Sequence, residues 1–181
     1  MKLTGKNRPQ LMRSVDFTNM NIRLANYNDL NSLMDITHRC IDHLNKQAIY
    51  QWDEIYPSRK DLHDDIDAQC LYSITKDDKL CGCICINLKE YPGYENANWR
   101  GSAFLVIHKI IIDPQKEGQG FGKYAMLHAE MIAHTNQKDS IRLDCFKKND
   151  RANQFYQNLG YVVRGEALFR KGIFILYEKM I

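Results

Sequence analysis

The stretch DPQKEGQGFGKYAM, from Asp113 to Met126, limits what this chain can fold into more than any other. Gly118, Gly120 and Gly122 alternate there, between a run of branched aliphatics (IHKIII) and a segment whose apolar residues recur at helical spacing. Glycine weakens the interior of a strand or helix, so this density marks a backbone that turns sharply or is approached closely. A strand that turns through such a loop into a helix presents unpaired amide N–H groups and the positive end of the helix dipole. That arrangement holds anions, phosphate above all.

The rest of the chain supplies a sheet around this element. NIRLAN alternates Ile22 and Leu24 as a strand does, and Asn28 reads as the cap of a helix built on Leu30, Leu33, Met34, Ile36, Thr37, Cys40, Ile41 and Leu44. Ser58 in YPSRKDLHDDIDAQ caps a short second helix with acidic residues near its start. LYSITKDDKLCGCICINL reads as a hairpin turning at Asp77-Asp78, and SAFLVIHKIIIDP as a long strand ended by Pro114. Phe121, Tyr124, Ala125, His128, Met131 and Ile132 give the helix after the glycines. SIRLDCF is a further strand, DRANQFYQNLG a helix closed by Gly160, and YVVRGEALF with GIFILYEKM a final antiparallel pair. The order β-α-α-β-β-β-α-β-α-β-β predicts one α/β domain with a mixed sheet over residues 21–181, preceded by a polar, aperiodic extension over 1–20.

Composition narrows the function. With 25 Lys and Arg against 22 Asp and Glu, the formal charge is only +3, which argues against general nucleic-acid binding. No apolar run approaches the roughly 20 residues that span a bilayer, and the start, MKLTGKNRPQLMRSVDFTNM, lacks the apolar segment of a secretory signal. These features predict a cytoplasmic protein without membrane contact. Cys81, Cys83 and Cys85 alternate along a strand and so share one face, without the second cysteine pair that zinc sites use. The reading is free thiols and no metal.

Three phosphate-binding loops compete for Asp113–Met126. A Walker A loop would need glycine where Glu117 stands and Ser or Thr where Tyr124 stands. A dinucleotide loop starting at Gly118 would need glycine at Lys123, and although Asp144 lies at a ribose-binding distance in sequence, too little chain follows for a doubly wound sheet. The third resembles the N-acetyltransferase (GNAT) superfamily, whose loop runs Arg/Gln-x-x-Gly-x-Gly/Ala. Here it is Glu117-Gly118-Gln119-Gly120-Phe121-Gly122, after a strand similar to that family's fourth. LDCFKKNDRANQFYQNLGY resembles the family's second signature: strand, Asn, a helix carrying Phe-Tyr, then Leu-Gly-Tyr. The resemblance is specific from about residue 107 to 161.

That resemblance implies a mixed, mostly antiparallel sheet of six or seven strands flanked by about four helices, splayed between the fourth and fifth strands. It implies acetyl-coenzyme A as acyl donor, its pyrophosphate on the backbone of Gly118, Gln119, Gly120, Phe121, Gly122 and Lys123, with Lys116, Lys147 and Lys148 nearby. Glu117 departs from the usual Arg or Gln and would repel phosphate unless turned outward or paired. Main-chain groups of Ile110 and Ile112 would pair with pantetheine, and an N–H at or near Ile110 would polarise the thioester carbonyl. Asn149 matches the pantetheine-contacting Asn, Asn153 lies one turn later, and Tyr156 matches the acid that protonates the leaving sulfur.

His108, on the same strand face as Ile110 by simple alternation, can take the amine proton, since Phe104 stands near the position of the family's frequent glutamate. Gln51, Trp52, Tyr56 and Trp99 are the expected walls of the acceptor pocket, and Asp53 and Glu54 either attract an amine or are solvated helix-end acids. The expected activity is direct acetyl transfer to a small-molecule primary amine. A protein or peptide amine as acceptor, a catalytically weak acyl-CoA sensor and a homodimer remain open at this stage.

Overall fold

The computed structural model describes residues 16–181; the first fifteen positions of the expected extension lie outside the described residues. Met20–Leu24 forms β1, Leu71–Lys76 β2, Lys79–Asn87 β3, Phe104–Ile112 β4, Ser140–Phe146 β5, Val162–Phe169 β6 and Gly172–Met180 β7. The helices are α1 (Leu30–Asn45), α2 (Arg59–Asp67), α3 (Phe121–Thr135) and α4 (Asp150–Asn158). The seven strands form one sheet in the order β1-β2-β3-β4-β5-β7-β6. Every pairing is antiparallel except β4 with β5. This is the expected mixed, mostly antiparallel α/β fold. No described helix is long and apolar enough to cross a membrane.

Local chemistry sets the element ends. Asp77 and Asp78 both take positive φ (49° and 59°), which joins β2 to β3 in the turn that the twist of a hairpin favours. Asn26, rather than the expected Asn28, caps the turn that leads into α1. Asn26 is extended (φ −132°) and accepts the Asn28 N–H at 2.9 Å, while Asp29 returns a bond to the Asn26 N–H at 3.0 Å. Asn28 already lies inside the turn, where its side chain cannot reach the helix amides. Ser58 caps α2 with Asp61 as its reciprocal partner, as the sequence indicates. Gly160 ends α4 at φ 88°. Residues 17–20 pack rather than trail: the Phe17 ring lies 5.1 Å from Tyr124, whose hydroxyl donates to the Met20 carbonyl.

Two bulges redirect side chains that simple alternation misplaces. The β2–β3 register slips between Ile74 and Thr75, which leaves Cys81 as the extra residue on β3. Cys81 therefore packs with Ile74, Ile84 and Phe121 on the α3 face, whereas Cys83 and Cys85 pack with Leu33, Cys40 and Leu62 beneath α1 and α2. All six cysteines are free and buried. The β3–β4 register slips between Cys85 and Ile86, which makes His108 the extra residue of β4. Its ring lies 4.6 Å from Tyr91, on the side of the sheet covered by residues 91–106, while Ile110 packs toward α3. His108 and Ile110 thus face opposite sides, contrary to the alternation argument, because a bulge adds one residue to the pleat.

The segment between β3 and β4 is fastened by Glu178 of β7, which is fully buried. It accepts from Arg164 at 2.8 Å and from the N–H groups of Arg100 and Gly101 at 3.0 Å each, with Arg142 at 3.7 Å. Tyr94 (1% exposed) packs below with Val106, Ala167 and Leu176.

Close approach of β3 to β4 makes Gly82 the tightest position in the sheet: a Cβ there would sit 2.1 Å from the Ile111 carbonyl oxygen. Gly82→Ala should force the strands apart and lower stability by about 1–3 kcal/mol, as overpacking does. Urea unfolding measures it, and an unchanged midpoint would show that β4 yields freely at the bulge.

Candidate active site

The glycine loop is built on Asp113. Its carboxylate accepts the Gln115 N–H at 3.0 Å and pairs with Arg39 at 2.5 Å, and its own N–H donates to the Cys81 carbonyl at 2.8 Å. From this anchor the chain passes through Gly118 (φ 72°) and Gly120 (φ 90°), conformations that favour glycine, and enters α3. Gly120 is the N-cap and has no side chain to offer, so the first amides of α3, at Phe121, Gly122 and Lys123, point outward without an intrahelical partner. Gly122 faces Phe155 of α4, whose ring would touch a Cβ at 3.3 Å. The Phe121 side chain is core, so its contribution to the loop is main-chain only. These features fit a diphosphate: donors in a row, a helix dipole and no side chain in the way.

Glu117 does not stand bare. It pairs with Arg151 of α4 at 2.5 Å and with His43 of α1 at 3.3 Å. The charge that departs from the family pattern is met by a guanidinium one helix away.

Beside the loop the sheet opens. β4 and β5 pair only from Phe104–Ser140 to Ile107–Leu143, although β4 continues to Ile112 and β5 to Phe146. The Asp113 N–H points to β3, and residues on an antiparallel strand alternate in direction, so Ile111 also faces β3. Ile110 and Ile112 then turn their main-chain groups toward the gap. A cavity of about 760 Å³ occupies it, lined from one face by Ile110, Ile112, Cys145, Ala152 and Tyr156. From the other face come Trp52, Tyr56, Tyr91, His108, Asp144 and Phe169.

The Tyr156 hydroxyl makes no hydrogen bond to the described residues, and its ring lies 6.1 Å from both Tyr161 and Tyr177. Burial, then the nearby Cys145 and Asp144, push its phenol well above the ordinary value, so it stays protonated. His108 Nε2 is 2.8 Å from Asn87 Oδ1, and burial followed by the Lys109 charge lowers its pKa to about 4. Lys109 is itself buried. Burial alone would drive it toward neutrality, but Asp65 at 2.5 Å carries its pKa upward. Asp65, Cys70 and Cys85 converge within 4.8 Å, as metal ligands do, yet the Lys109 ammonium already supplies the cation there.

One polar group of the cavity reads in the sequence only as a ribose contact. Asp144 of β5 accepts from the Tyr94 hydroxyl at 3.0 Å, and burial raises its pKa to about 7 against that bond and one from its own backbone N–H. Its signal in the sequence is a carboxylate between Leu143 and Cys145 in the central strand SIRLDCF, two residues from Arg142. Arg142 is engaged elsewhere, with Glu90 at 2.5 Å and Glu178.

Of the expected acceptor walls, Gln51, Trp52 and Tyr56 line the cavity. Gln51 also receives the Asn149 amide at 2.8 Å, while Asn149 caps α4, so one bond ties the two ends of the cavity. Trp99 is elsewhere: its indole donates to the Tyr94 carbonyl at 2.8 Å, and Arg142 lies 4.6 Å over its ring. Asn153, expected beside Asn149 as a cofactor contact, is buried and does not line the cavity. Its amide donates to the Phe146, Lys147 and Asn149 carbonyls and its oxygen accepts from Tyr177 at 3.0 Å, which fixes α4 to β5 and β7. Asp53 is held below the carboxylate range by Arg170, with Lys171 beside it, and so offers no free charge to an amine. Lys147 is paired with Glu166 at 2.7 Å. The sequence reading also missed Tyr91, Phe169 and Phe174, which reach the cavity from loops and the β6–β7 hairpin.

A model of the acetyltransferase (GNAT) family matches residues 37–161. An uncharacterized N-acetyltransferase of Bacillus subtilis, YesJ, is 25% identical over 147 residues, which span 78% of this chain and 81% of that one. Among solved structures, a GNAT-family acetyltransferase from Streptococcus agalactiae superposes with a TM-score of 0.78 at 23% identity, covering 93% of this chain and 99% of that one. The PaiA N-acetyltransferase of Thermoplasma acidophilum, solved with coenzyme A, gives 0.70 at 18% identity over 90% of this chain and 99% of that one.

Because the folded pKa of Asp144 lies above the unfolded value of 3.8, the native state must keep a proton that the unfolded chain releases. Stability is then undiminished below pH 4 and falls as pH rises to about 7. Asp144→Asn keeps the acceptor for Tyr94 and removes the charge. Its melting temperature should exceed the wild type's by several degrees at pH 8, from up to about 4 kcal/mol, with no gain at pH 4. An equal gain at both pH values would show that the carboxylate is not held neutral by burial.

Proposed function

This chain belongs to the acetyltransferase (GNAT) family and is an N-acetyltransferase, and from that premise we propose that it moves the acetyl group of acetyl-coenzyme A directly to the primary amine of a small molecule. The observation that carries the proposal is the gap in the β4–β5 ladder beside a side-chain-free helix N-terminus. A long, flexible donor with a diphosphate at one end and amides along its arm suits both parts. When bound, acetyl-coenzyme A supplies the activated thioester and a thiolate leaving group. The neighbour from Thermoplasma acidophilum holds coenzyme A, which supports the same assignment here.

The amides of Phe121, Gly122 and Lys123 would bind the diphosphate, aided by the α3 dipole. Arg151, already drawn to Glu117, keeps positive charge near the loop, so the carboxylate is neutralised rather than repulsive. The main-chain groups of Ile110 and Ile112 that face the gap would pair with the pantetheine amides, the Ile112 carbonyl in exchange for the Cys40 thiol that it accepts at 3.0 Å, and the Ile110 N–H is the donor nearest the bulge for polarising a carbonyl. Asn149 caps α4 with its oxygen and holds Gln51 with its nitrogen, so it orients the cavity as well as meeting the arm.

Tyr156 would protonate the departing sulfur. It is protonated at every working pH, it borders the cavity on the α4 side, and its hydroxyl is not committed to another described residue. His108 is neutral above about pH 5, with Nε2 held by Asn87, and at a pKa near 4 it is too weak a base to draw a proton from an amine. Its role is to form a polar wall. The enclosed, aromatic acceptor side supports a small molecule over a folded protein as substrate, since Trp52, Tyr56, Tyr91 and Phe169 line it from several elements.

Tyr156→Phe keeps the ring and its packing while removing the one proton the side chain can give. Acetyl-CoA affinity should stay within a few-fold, while turnover with a responsive amine falls by roughly 10²–10⁴. The loss should shrink with an acyl donor whose thiol is more acidic. Near-normal turnover with chemistry rate-limiting would contradict the assignment of the acid.

A further inference from the structure

Three carboxylates line the cavity: Asp61, Glu117 and Asp144. Two are already satisfied. Asp61 accepts the Ser58 N–H at 2.7 Å and the Ser58 hydroxyl at 2.6 Å as part of the α2 capping box. Glu117 has Arg151 and His43. Asp144 has the Tyr94 phenol and its own backbone N–H, and no described cation forms an ion pair with it. The groups that face it are all neutral: Tyr94 and Tyr91 from the segment before β4, Tyr56 from the connection between α1 and α2, and Tyr156 from α4. Cys145, its neighbour on β5, is neutral as well. The buried cations of the adjoining strands are committed: Lys109 to Asp65, and Arg142 to Glu90 and Glu178.

A carboxylate buried without a cation is unfavourable in the free protein and is kept where a ligand completes it. The wall around this one is aromatic. The Tyr91 ring lies 6.3 Å from Phe169, which lies 5.1 Å from Phe174; Trp52 and Tyr56 line the same cavity, with the Tyr56 hydroxyl beside that of Tyr91. Such a wall accepts an apolar or flat chain. Of the cations that line the cavity, Lys109 is paired with Asp65 and Arg170 and Lys171 with Asp53, while Lys89 forms no ion pair among the described residues and disfavours a second positive charge on the ligand.

Resting on the N-acetyltransferase reading above, we propose that Asp144 binds the ammonium group of the acceptor and takes its proton, and that the acceptor is a primary amine with a single positive charge on an apolar or aromatic chain. Polyamines and other polycations are disfavoured by Lys89, the lining cation without an ion pair among the described residues.

The transfer balances as follows. The acceptor enters as an ammonium ion and gives one proton to the Asp144 carboxylate. The freed nitrogen lone pair forms the C–N bond at the thioester carbonyl carbon. The C–S bond breaks with its electron pair going to sulfur, which takes the Tyr156 proton. The nitrogen then loses its second proton, which restores the phenol, and Asp144 releases its own to solvent. The net products are an amide, the free thiol and one proton. An ammonium near pKa 10 gives its proton to a carboxylate near 7 about a thousandfold more readily than to an ordinary one near 4. His108, near 4 and neutral, neither attracts the ammonium nor holds its proton.

The test needs no cofactor. Binding of phenethylamine, 2-phenylethanol and putrescine to the free protein is measured by calorimetry at pH 5.5 and pH 8, for wild type, Asp144→Asn and Tyr94→Phe. Wild type should bind phenethylamine at least about tenfold more tightly than the alcohol or putrescine at pH 8, a difference of about 1.4 kcal/mol. The preference should weaken at pH 5.5, where Asp144 is protonated. Asp144→Asn should bind amine and alcohol alike. Tyr94→Phe should retain the preference but need a higher pH to show it, which separates loss of charge from loss of fold. Equal affinity for amine and alcohol in wild type, absence of binding by all three compounds, or an undiminished preference in Asp144→Asn overturns the proposal. A protein that binds phenethylamine through Asp144 but transfers no acetyl group to it from acetyl-CoA would instead contradict the transferase reading and leave this site standing.

Discussion

The rest of this molecule is organised around a ladder that stops. β4 and β5 bond for four residue pairs and then part, leaving the main chain of Ile110 and Ile112 without a strand beside it. Unpaired backbone inside a protein is costly, on the order of a lost hydrogen bond for each group. The opening persists because both strands are held from their outer sides. β4 is bonded to β3 through Gly82–Ile112, and β5 to β7 through Phe146–Phe174. The bulge at His108 bends β4 away at the place where pairing ends. The gap, the cavity within it and the access from both faces follow from that one divergence.

Charge inside the cavity follows a second rule: nearly every ionised side chain has been paired in advance. Lys109 has Asp65, Asp113 has Arg39, Glu117 has Arg151, and Asp53 holds Arg170 and Lys171. These pairs contribute little net stability where exposed. Their consequence is to remove competing charge from the cavity; of its two carboxylates without a cation, Asp61 is taken up by the α2 cap, which leaves Asp144 as the group proposed to select the acceptor. Glu178 makes this arrangement rigid from below. Its bonds to Arg164, Arg100 and Gly101 fix the segment that carries Tyr91 and Tyr94 against β7.

Much of this was legible in the residues. The order of the strands and helices, the turn at Asp77-Asp78, the cap at Ser58 and the glycine loop all follow from local chemistry, and the structure has them in those places. What the sequence concealed was of two kinds. Bulges are invisible to alternation, so Cys81 and His108 were assigned to the wrong sides of the sheet by a rule that holds for every residue around them. Long-range pairing is invisible too. Glu117 reads as repulsive until Arg151, thirty-four positions later, meets it. Asn153 reads as a ligand contact until its amide is seen to bond three carbonyls, and Trp99 as a wall until its indole turns to Tyr94. Asp144 was in view as a carboxylate in a central strand, but only the fold shows that nothing positive opposes it.

The central claim is that the opening between β4 and β5 receives the donor's arm as an additional strand. Amide hydrogen exchange at single-residue resolution tests it most directly. In the free protein the Ile110 and Ile112 amides should exchange quickly, while Ile111, bonded to β3, is protected. On saturation with acetyl-CoA the account predicts new protection at Ile110 or Ile112, and at the Phe121–Lys123 amides, with Ile111 unchanged. Protection confined to the glycine loop, with Ile110 and Ile112 exchanging as before, would contradict it.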